Sequence, residues 1–137
     1  MIPMDLNWIK NVLAVSFEGK NQQVVNINTD TRTIKAGEVF LAIKGPNFDG
    51  HKFAEQAVAQ GAVAVIVEHS VQVKVPQFIV PDARLALGQL GAAVMAEVNP
   101  KTIAITGSVG KTTVKEMCAA ILSSHGAVLA TKGNFNN

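Results

Sequence analysis

Apolar positions along the chain follow helical and strand periodicities in alternation. Leu6, Ile9 and Leu13 recur at helical spacing behind Asp5, which suits a helix N-cap. "VVNINTDTR" predicts a short strand running into a polar turn. "GEVFLAIKG", Gly37 to Gly45, predicts a strand bounded by glycines, and "PNFDG" a loop. "FAEQAVAQG" predicts a short Ala-rich helix that stops at Gly61. "AVAVIVE" follows without a polar break, as in a strand buried on both faces. "QFIVPD" predicts another strand. Asp82 then caps a long helix with Ala83, Leu87, Leu90, Val94 and Val98 at steps of three and four.

Asn99-Pro100 marks a break. After it, "KTIAIT" predicts a buried strand, a glycine loop follows, and a helix runs from about Lys111 to Ser124. Its apolar stripe is Val114, Met117, Cys118 and Ile121, and His125-Gly126 stops it. "AVLAT" predicts a last strand. Strands alternating with helices imply an α/β fold. The expected division is a small α/β domain over 1–98 and a single β-loop-α-β unit over 99–137.

Composition narrows the function classes. The 137 residues are 48% hydrophobic and 16% charged, which fits a packed core and excludes wholesale disorder. A net charge of +2 and 5% aromatics offer neither the electrostatics nor the stacking surfaces of nucleic-acid binding. No apolar run reaches the roughly 18 residues of a membrane span, and "MIPMDLNWIK" lacks a signal-peptide pattern. A cytoplasmic protein without membrane partners is expected. The single cysteine, Cys118, excludes an intrachain disulfide and reads as a small core residue on its stripe. No histidine pair has zinc-ligand spacing, and His69 and His125 are expected to face solvent.

The chemistry concentrates in "ITGSVGKTT". The strict phosphate-loop pattern fails, because Ile105 stands where the first glycine belongs. Gly107-x-x-Gly110-Lys111-Thr112-Thr113 keeps the physical ingredients. Two glycines let the backbone turn its N–H groups inward, and the loop opens a helix whose N-terminus favours anions. Lys111 would bridge terminal phosphates, Thr112 would ligate magnesium, and Thr113 would add a hydrogen bond. The bland alternative is an ordinary strand-to-helix turn; the placement between apolar strand and amphipathic helix favours phosphate.

This loop resembles the short "TG-x-x-GKTT" loop of the Mur ligase family, and other segments carry the resemblance from about Asn26 to Asn137. "TDTR" (Thr29, Asp30, Thr31, Arg32) resembles the family's N-terminal Ser/Thr-Asp-Ser/Thr-Arg motif. "GEVFLAIKG" with "FDGHKF", then "GKTTVKEM" and "KGNFNN", resemble the segments that follow. The resemblance implies a UDP-muramoyl-peptide-binding domain followed by the start of a central ATP-binding domain. It implies a ligase that uses ATP and Mg2+ to join D-alanyl-D-alanine to a UDP-N-acetylmuramoyl tripeptide through an acyl phosphate. Gly107, Ser108, Val109, Gly110, Lys111, Thr112 and Thr113 would hold ATP phosphates, with Asn134 nearby; Lys111 would be catalytic and Thr112 the metal ligand. Thr29, Asp30, Thr31 and Arg32 would shape the UDP pocket with Asp49, Gly50 and His51; Lys44 and Gly45 are weaker candidates.

Three readings compete. The first is the N-terminal portion of such a ligase, inactive alone, because Glu116 is the only acidic residue after Lys111 and the family's other magnesium ligands would lie beyond residue 137. The second is a non-catalytic module that binds a UDP-sugar or nucleotide. The third is an unrelated phosphate-loop NTPase, for which the N-terminal motifs are coincidence. Asp30 and Arg32 also fit a plain turn with a surface ion pair. A β-α-β piece of this size leaves strand edges open, so self-association, packing on the first domain or fraying is expected.

Overall fold

The structure, a computed structural model, describes residues 2–133. The chain divides into two compact units, Met1–Asn99 and Pro100–Asn137.

The first unit is α/β, built on a four-stranded, all-parallel sheet. A two-residue antiparallel pair, β1 (Met4–Asp5) with β2 (Gln23–Val24), flanks helix α1 (Leu6–Leu13). The sheet runs in the order β3 (Ile27–Asn28), β4 (Val39–Leu41), β5 (Ala64–Val67), β6 (Gln77–Ile79). Residues 50–53 form a 3-10 turn that leads into α2 (Ala54–Ala59), between β4 and β5, and α3 (Ala83–Val98) follows β6.

Period-two alternation assigns the strands' side chains to two cores. Val39, Leu41, Ala64, Ile66 and Phe78 pack with Leu6, Ile9 and Leu13 of α1 and Ala83, Ala86 and Leu90 of α3. Phe40, Val65 and Val67 pack on the other face with Ala54 and Ala57 of α2 and with Ile34. All four residues of β5 are buried, which is why its sequence shows no polar alternation. Burying each Phe, Leu or Ile of these cores stabilises by about 1.5–3 kcal/mol.

The expected caps form. Asp5 accepts from the Trp8 N–H at 2.7 Å, and Asp82 accepts from the Leu85 N–H at 2.9 Å. The buried stripe of α3 differs from the expected one. Ala83, Ala86 and Leu90 are buried and Val94 packs beside them, while Leu87 and Val98 are exposed. The sheet below is short, so only the first half of α3 meets it. Farther along, α3 is tied to α1 by the Trp8 indole N–H, which donates to Glu97 at 2.6 Å.

The second unit contains one element among its described residues, helix α4 (Lys111–Ser123). The strands expected at "KTIAIT" and "AVLAT" do not form there. A strand requires a hydrogen-bonded neighbour, and neither segment pairs with another among the described residues. None of the described residues 100–133 is buried. The stripe of α4 faces outward, with Val114, Met117 and Ile121 exposed. The face of α4 that is half-buried carries Lys111, Lys115, Cys118 and Ala119, so Cys118 is not the core residue expected of it.

Candidate functional site

Parallel strands deliver the loops after their carboxyl ends to one edge of the sheet, the usual ligand position in α/β folds. The candidate UDP residues stand in two such loops. Thr29 to Arg32 follow β3, and Asp49 to His51 follow β4.

The turn after β3 is held from below by a buried carboxylate. Glu38 accepts from the side-chain amides of Asn26 at 3.2 Å and Asn28 at 3.0 Å, and from the Lys35 N–H at 2.9 Å. Burial pushes its carboxyl up. The donors from Asn28, Lys35 N–H and Asn26, with the Lys35 charge, outweigh that and hold it below its ordinary value. Asn28 in turn accepts from the Asp30 N–H at 2.9 Å. Asp30 accepts from the Arg32 N–H at 2.9 Å and binds the guanidinium through Nε at 2.9 Å and Nη2 at 2.7 Å. The Arg32 side chain and, secondly, its backbone N–H hold the Asp30 carboxyl at about 2. The Arg32 side chain is 85% exposed, so the pair adds little stability. It presents a guanidinium and a carboxylate at the sheet edge.

The loop after β4 is a tight hairpin. The Gly45 N–H donates to the Phe48 carbonyl at 2.7 Å and the Gly50 N–H to the Ile43 carbonyl at 2.9 Å; Lys44 and Asp49 pair across it. A Cβ on Gly50 would lie 2.9 Å from both the N and O of Ile43, so only glycine closes this hairpin. Its tip exposes Phe48, stacked on Phe53 at 5.3 Å. Asp49 caps the following turn, accepting from the His51 N–H at 3.1 Å, and contacts His51 Nδ1 at 2.7 Å. The His51 ring and, secondly, its backbone N–H keep the Asp49 carboxyl below its usual range. His51 itself is buried, with Nε2 accepting from the Glu68 N–H at 2.9 Å.

In the second unit, Gly107 (φ 155°) and Gly110 (φ 79°) take left-handed conformations that other residues resist. Gly110 caps α4 without a side-chain hydrogen bond, and the first turn holds no acidic residue. This helix end carries its dipole's positive charge plus Lys111, which suits an anion. The Lys111 ammonium donates to the Gly107 carbonyl at 2.6 Å. A cavity of about 550 Å3 opens beside the loop, lined by residues including Lys111, Thr112, Lys115 and Thr131. Lys115 donates to the Thr131 carbonyl at 2.7 Å. Ser108, Val109 and Thr113 are exposed on the loop and first turn, while Asn134 lies outside the described residues.

A profile described as the Mur ligase family, catalytic domain, matches residues 23–125, more than half of the chain. The chain belongs to the Mur ligase family. It is 46% identical, over its whole length, to the UDP-N-acetylmuramoyl-tripeptide–D-alanyl-D-alanine ligase of Haemophilus influenzae, covering 31% of that protein. A solved UDP-N-acetylmuramoylalanyl-D-glutamyl-2,6-diaminopimelate–D-alanyl-D-alanyl ligase from Acinetobacter baumannii matches 99% of the chain at 40% identity and a TM-score of 0.90, with 31% of that structure covered. The MurF ligase of Thermotoga maritima, crystallised with ADP, matches 81% of the chain at 33% identity and a TM-score of 0.70, with 26% covered. The Mur ligase chain described here therefore spans about three tenths of the length of such relatives.

The residues that support the site in this chain of the Mur ligase family carry no motif in the sequence. Glu38 and Asn28 build the floor of the Thr29–Arg32 turn, and Glu68 joins the loops after β5 and β6 by accepting from the Ala83 N–H at 2.9 Å. One signal was available. Asn26 and Asn28 stand two apart in the segment whose sequence predicts a strand, which places two amides on one face. No helix among the described residues is long and apolar enough to cross a membrane.

Proposed function

We propose that this chain supplies the UDP-substrate domain and the phosphate loop of an ATP-dependent ligase that adds D-alanyl-D-alanine to a UDP-N-acetylmuramoyl tripeptide in peptidoglycan precursor synthesis. The observation that carries the reading is the similarity, through the whole chain, to a ligase named for that reaction. Two kinds of site agree with it. Thr29, Asp30, Thr31, Arg32, Asp49 and Gly50 stand at the carboxyl edge of the sheet, where the guanidinium of Arg32 and the hairpin's backbone can meet a uridine diphosphate. Gly107 to Thr113 form an anion-seeking helix end with the donor chemistry of a nucleotide phosphate site.

The residues present fit ATP at that end: two left-handed glycines, an α4 N-terminus without a side-chain cap, and Lys111. When bound, ATP would supply the phosphoryl group that activates a carboxylate. Lys111 would exchange the Gly107 carbonyl for a phosphate oxygen, and the Thr112 hydroxyl is the proposed Mg2+ ligand.

One observation favours the second reading, a UDP-sugar- or nucleotide-binding module without chemistry. Among the described residues no group of three or more His, Cys, Asp or Glu could hold a metal ion, and Glu116 faces solvent beside Lys115. Both readings agree that the 137 residues alone do not ligate. Separate calorimetric titrations of the chain with UDP-N-acetylmuramoyl tripeptide and with Mg-ATP test the proposal. Binding of the UDP ligand is the expected result. ATP binding without it would overturn the proposal and leave a nucleotide-binding module with no UDP-substrate site.

A further inference from the structure

His51 offers no ring nitrogen to a ligand, yet it stands at the centre of the carboxyl edge. Its side chain is 3% exposed. An N–H can only donate, so the contact from the Glu68 N–H at 2.9 Å makes Nε2 an acceptor and places the ring proton on Nδ1. Nδ1 therefore donates to Asp49 at 2.7 Å. His69, from the loop after β5, stacks on the same ring at 4.4 Å and 19°. The relay continues through Glu68, whose carboxylate accepts from the Ala83 N–H at 2.9 Å, at the first residue of α3. Hydrogen bonds thus link Asp49, His51, Glu68 and Ala83 in turn, meeting Glu68 at its backbone N–H on one side and its carboxylate on the other. They join the loops after β4, β5 and β6, three successive strands of the sheet.

We propose that His51 is a positioning residue: its fixed donor–acceptor polarity clamps the Lys44–Gly50 hairpin to the ends of β5 and α3 and so presets the uridine-diphosphate loop. The nucleotide part of this inference rests on the function proposed above. Apart from Ile43 at its base, which packs on the core, and the Phe48–Phe53 stack, the hairpin's place rests on polar contacts. Its tip is exposed at Pro46, Asn47 and Phe48, and its internal bonds fix its shape without fixing its place on the sheet. The ring supplies that second constraint by reaching a backbone N–H on the next strand's loop. A hydrophobic ring of similar size would fill the space, leave the Glu68 N–H unpaired and leave Asp49 only the backbone N–H of residue 51.

The test compares His51→Phe and His51→Gln with the parent chain, reading amide hydrogen exchange and affinity for uridine diphosphate. Glutamine can place an N–H toward Asp49 and an oxygen toward Glu68. His51→Phe is expected to speed exchange first at Glu68, whose N–H loses its acceptor, then at Ala83 and at Gly50 beside the lost clamp, and to leave Ala42, bonded to Ile66 across β4 and β5, protected. Uridine-diphosphate affinity should fall about tenfold, the size of one buried unpaired group. His51→Gln should restore both. Where His51→Phe does not fold, His51→Asn, which keeps the reach to Asp49 and loses the reach to Glu68, gives the same exchange reading. A uniform rise at every amide, or an unchanged hairpin, would overturn the clamp. If the parent chain binds no uridine diphosphate, the nucleotide reading fails, and the exchange pattern still decides whether His51 holds the hairpin.

Discussion

The two units of this chain carry comparable signals in sequence and differ in what their structure can do with them. In the first, a parallel sheet is covered on both faces, and β5 is wholly buried. Its candidate site is therefore held from within the fold: Glu38 below one turn, His51 and Glu68 below the other. In the second, the glycine conformations and the lysine are in place, but no described residue is buried and α4 shows its apolar stripe outward. A phosphate loop can be written in seven residues, Gly107 to Thr113. The packed frame around such a loop cannot, because strands acquire their ladders and helices their buried faces only from neighbours.

Core truncation should give the largest contrast. Phe78 is fully buried and its ring meets Phe17 at 5.0 Å. Phe78→Ala should cost about 3–5 kcal/mol. Ile121→Ala, at an exposed position of α4, should stay within about 0.5 kcal/mol. Urea unfolding followed by the fluorescence of Trp8, the chain's single tryptophan, reads the first unit, and amide exchange along α4 under the same conditions reads the second. An Ile121→Ala loss comparable to that of Phe78→Ala would end the comparison, since it would require α4 to be packed.

Gly50→Ala comes next. The added carbon meets backbone N and O of Ile43 at 2.9 Å, and backbone cannot step aside as a side chain would. A loss of about 1–3 kcal/mol is expected, together with weaker binding of the UDP ligand. Gly110→Ala has open space around its Cβ, so its cost should come only from the φ of 79°, about 1 kcal/mol. Lys111→Ala should lower ATP affinity about tenfold or more, as expected for one charged hydrogen bond, with no change in Tm. A fall in Tm would mean that the Lys111–Gly107 contact holds the loop's shape.

Much of the first unit was legible because its signals are local. Asp5 and Asp82 announced their helices, and the unbroken "AVAVIVE" announced a strand covered on both sides. The stripe of α3 was misjudged at Leu87 and Val98, since periodicity reports a face and not how far the sheet extends beneath it. The second unit's strands were legible as composition and absent as ladders among the described residues. The site was legible at its motif residues. Its supports were not: nothing in the sequence sets Glu38 and Glu68 apart from other carboxylates until the fold places amides around them.

Acid should produce the smallest effect and still separate the units. Asp5, Asp30, Glu38 and Asp49, all in the first unit, have carboxyls held below their ordinary values of 3.8 for Asp and 4.5 for Glu. A carboxyl depressed in the folded chain contributes stability that is full above its unfolded value and is lost as pH falls toward its folded value. Unfolding of the first unit should therefore become easier from about pH 4.5 downward, with the Asp30 contribution the last to vanish, near 2. Glu38→Gln should flatten the upper part of this acid limb, because Glu38 is buried and braces the β3 turn through three donors. Asp30→Asn should change only its lowest part, because Arg32 is exposed and water screens the pair. Thermal unfolding between pH 2 and 6, read at Trp8, measures both. If Asp30→Asn flattened the limb as much as Glu38→Gln, the Asp30–Arg32 pair would be bracing the turn rather than lying on its surface, and Arg32 would be less available to a diphosphate than its exposure implies.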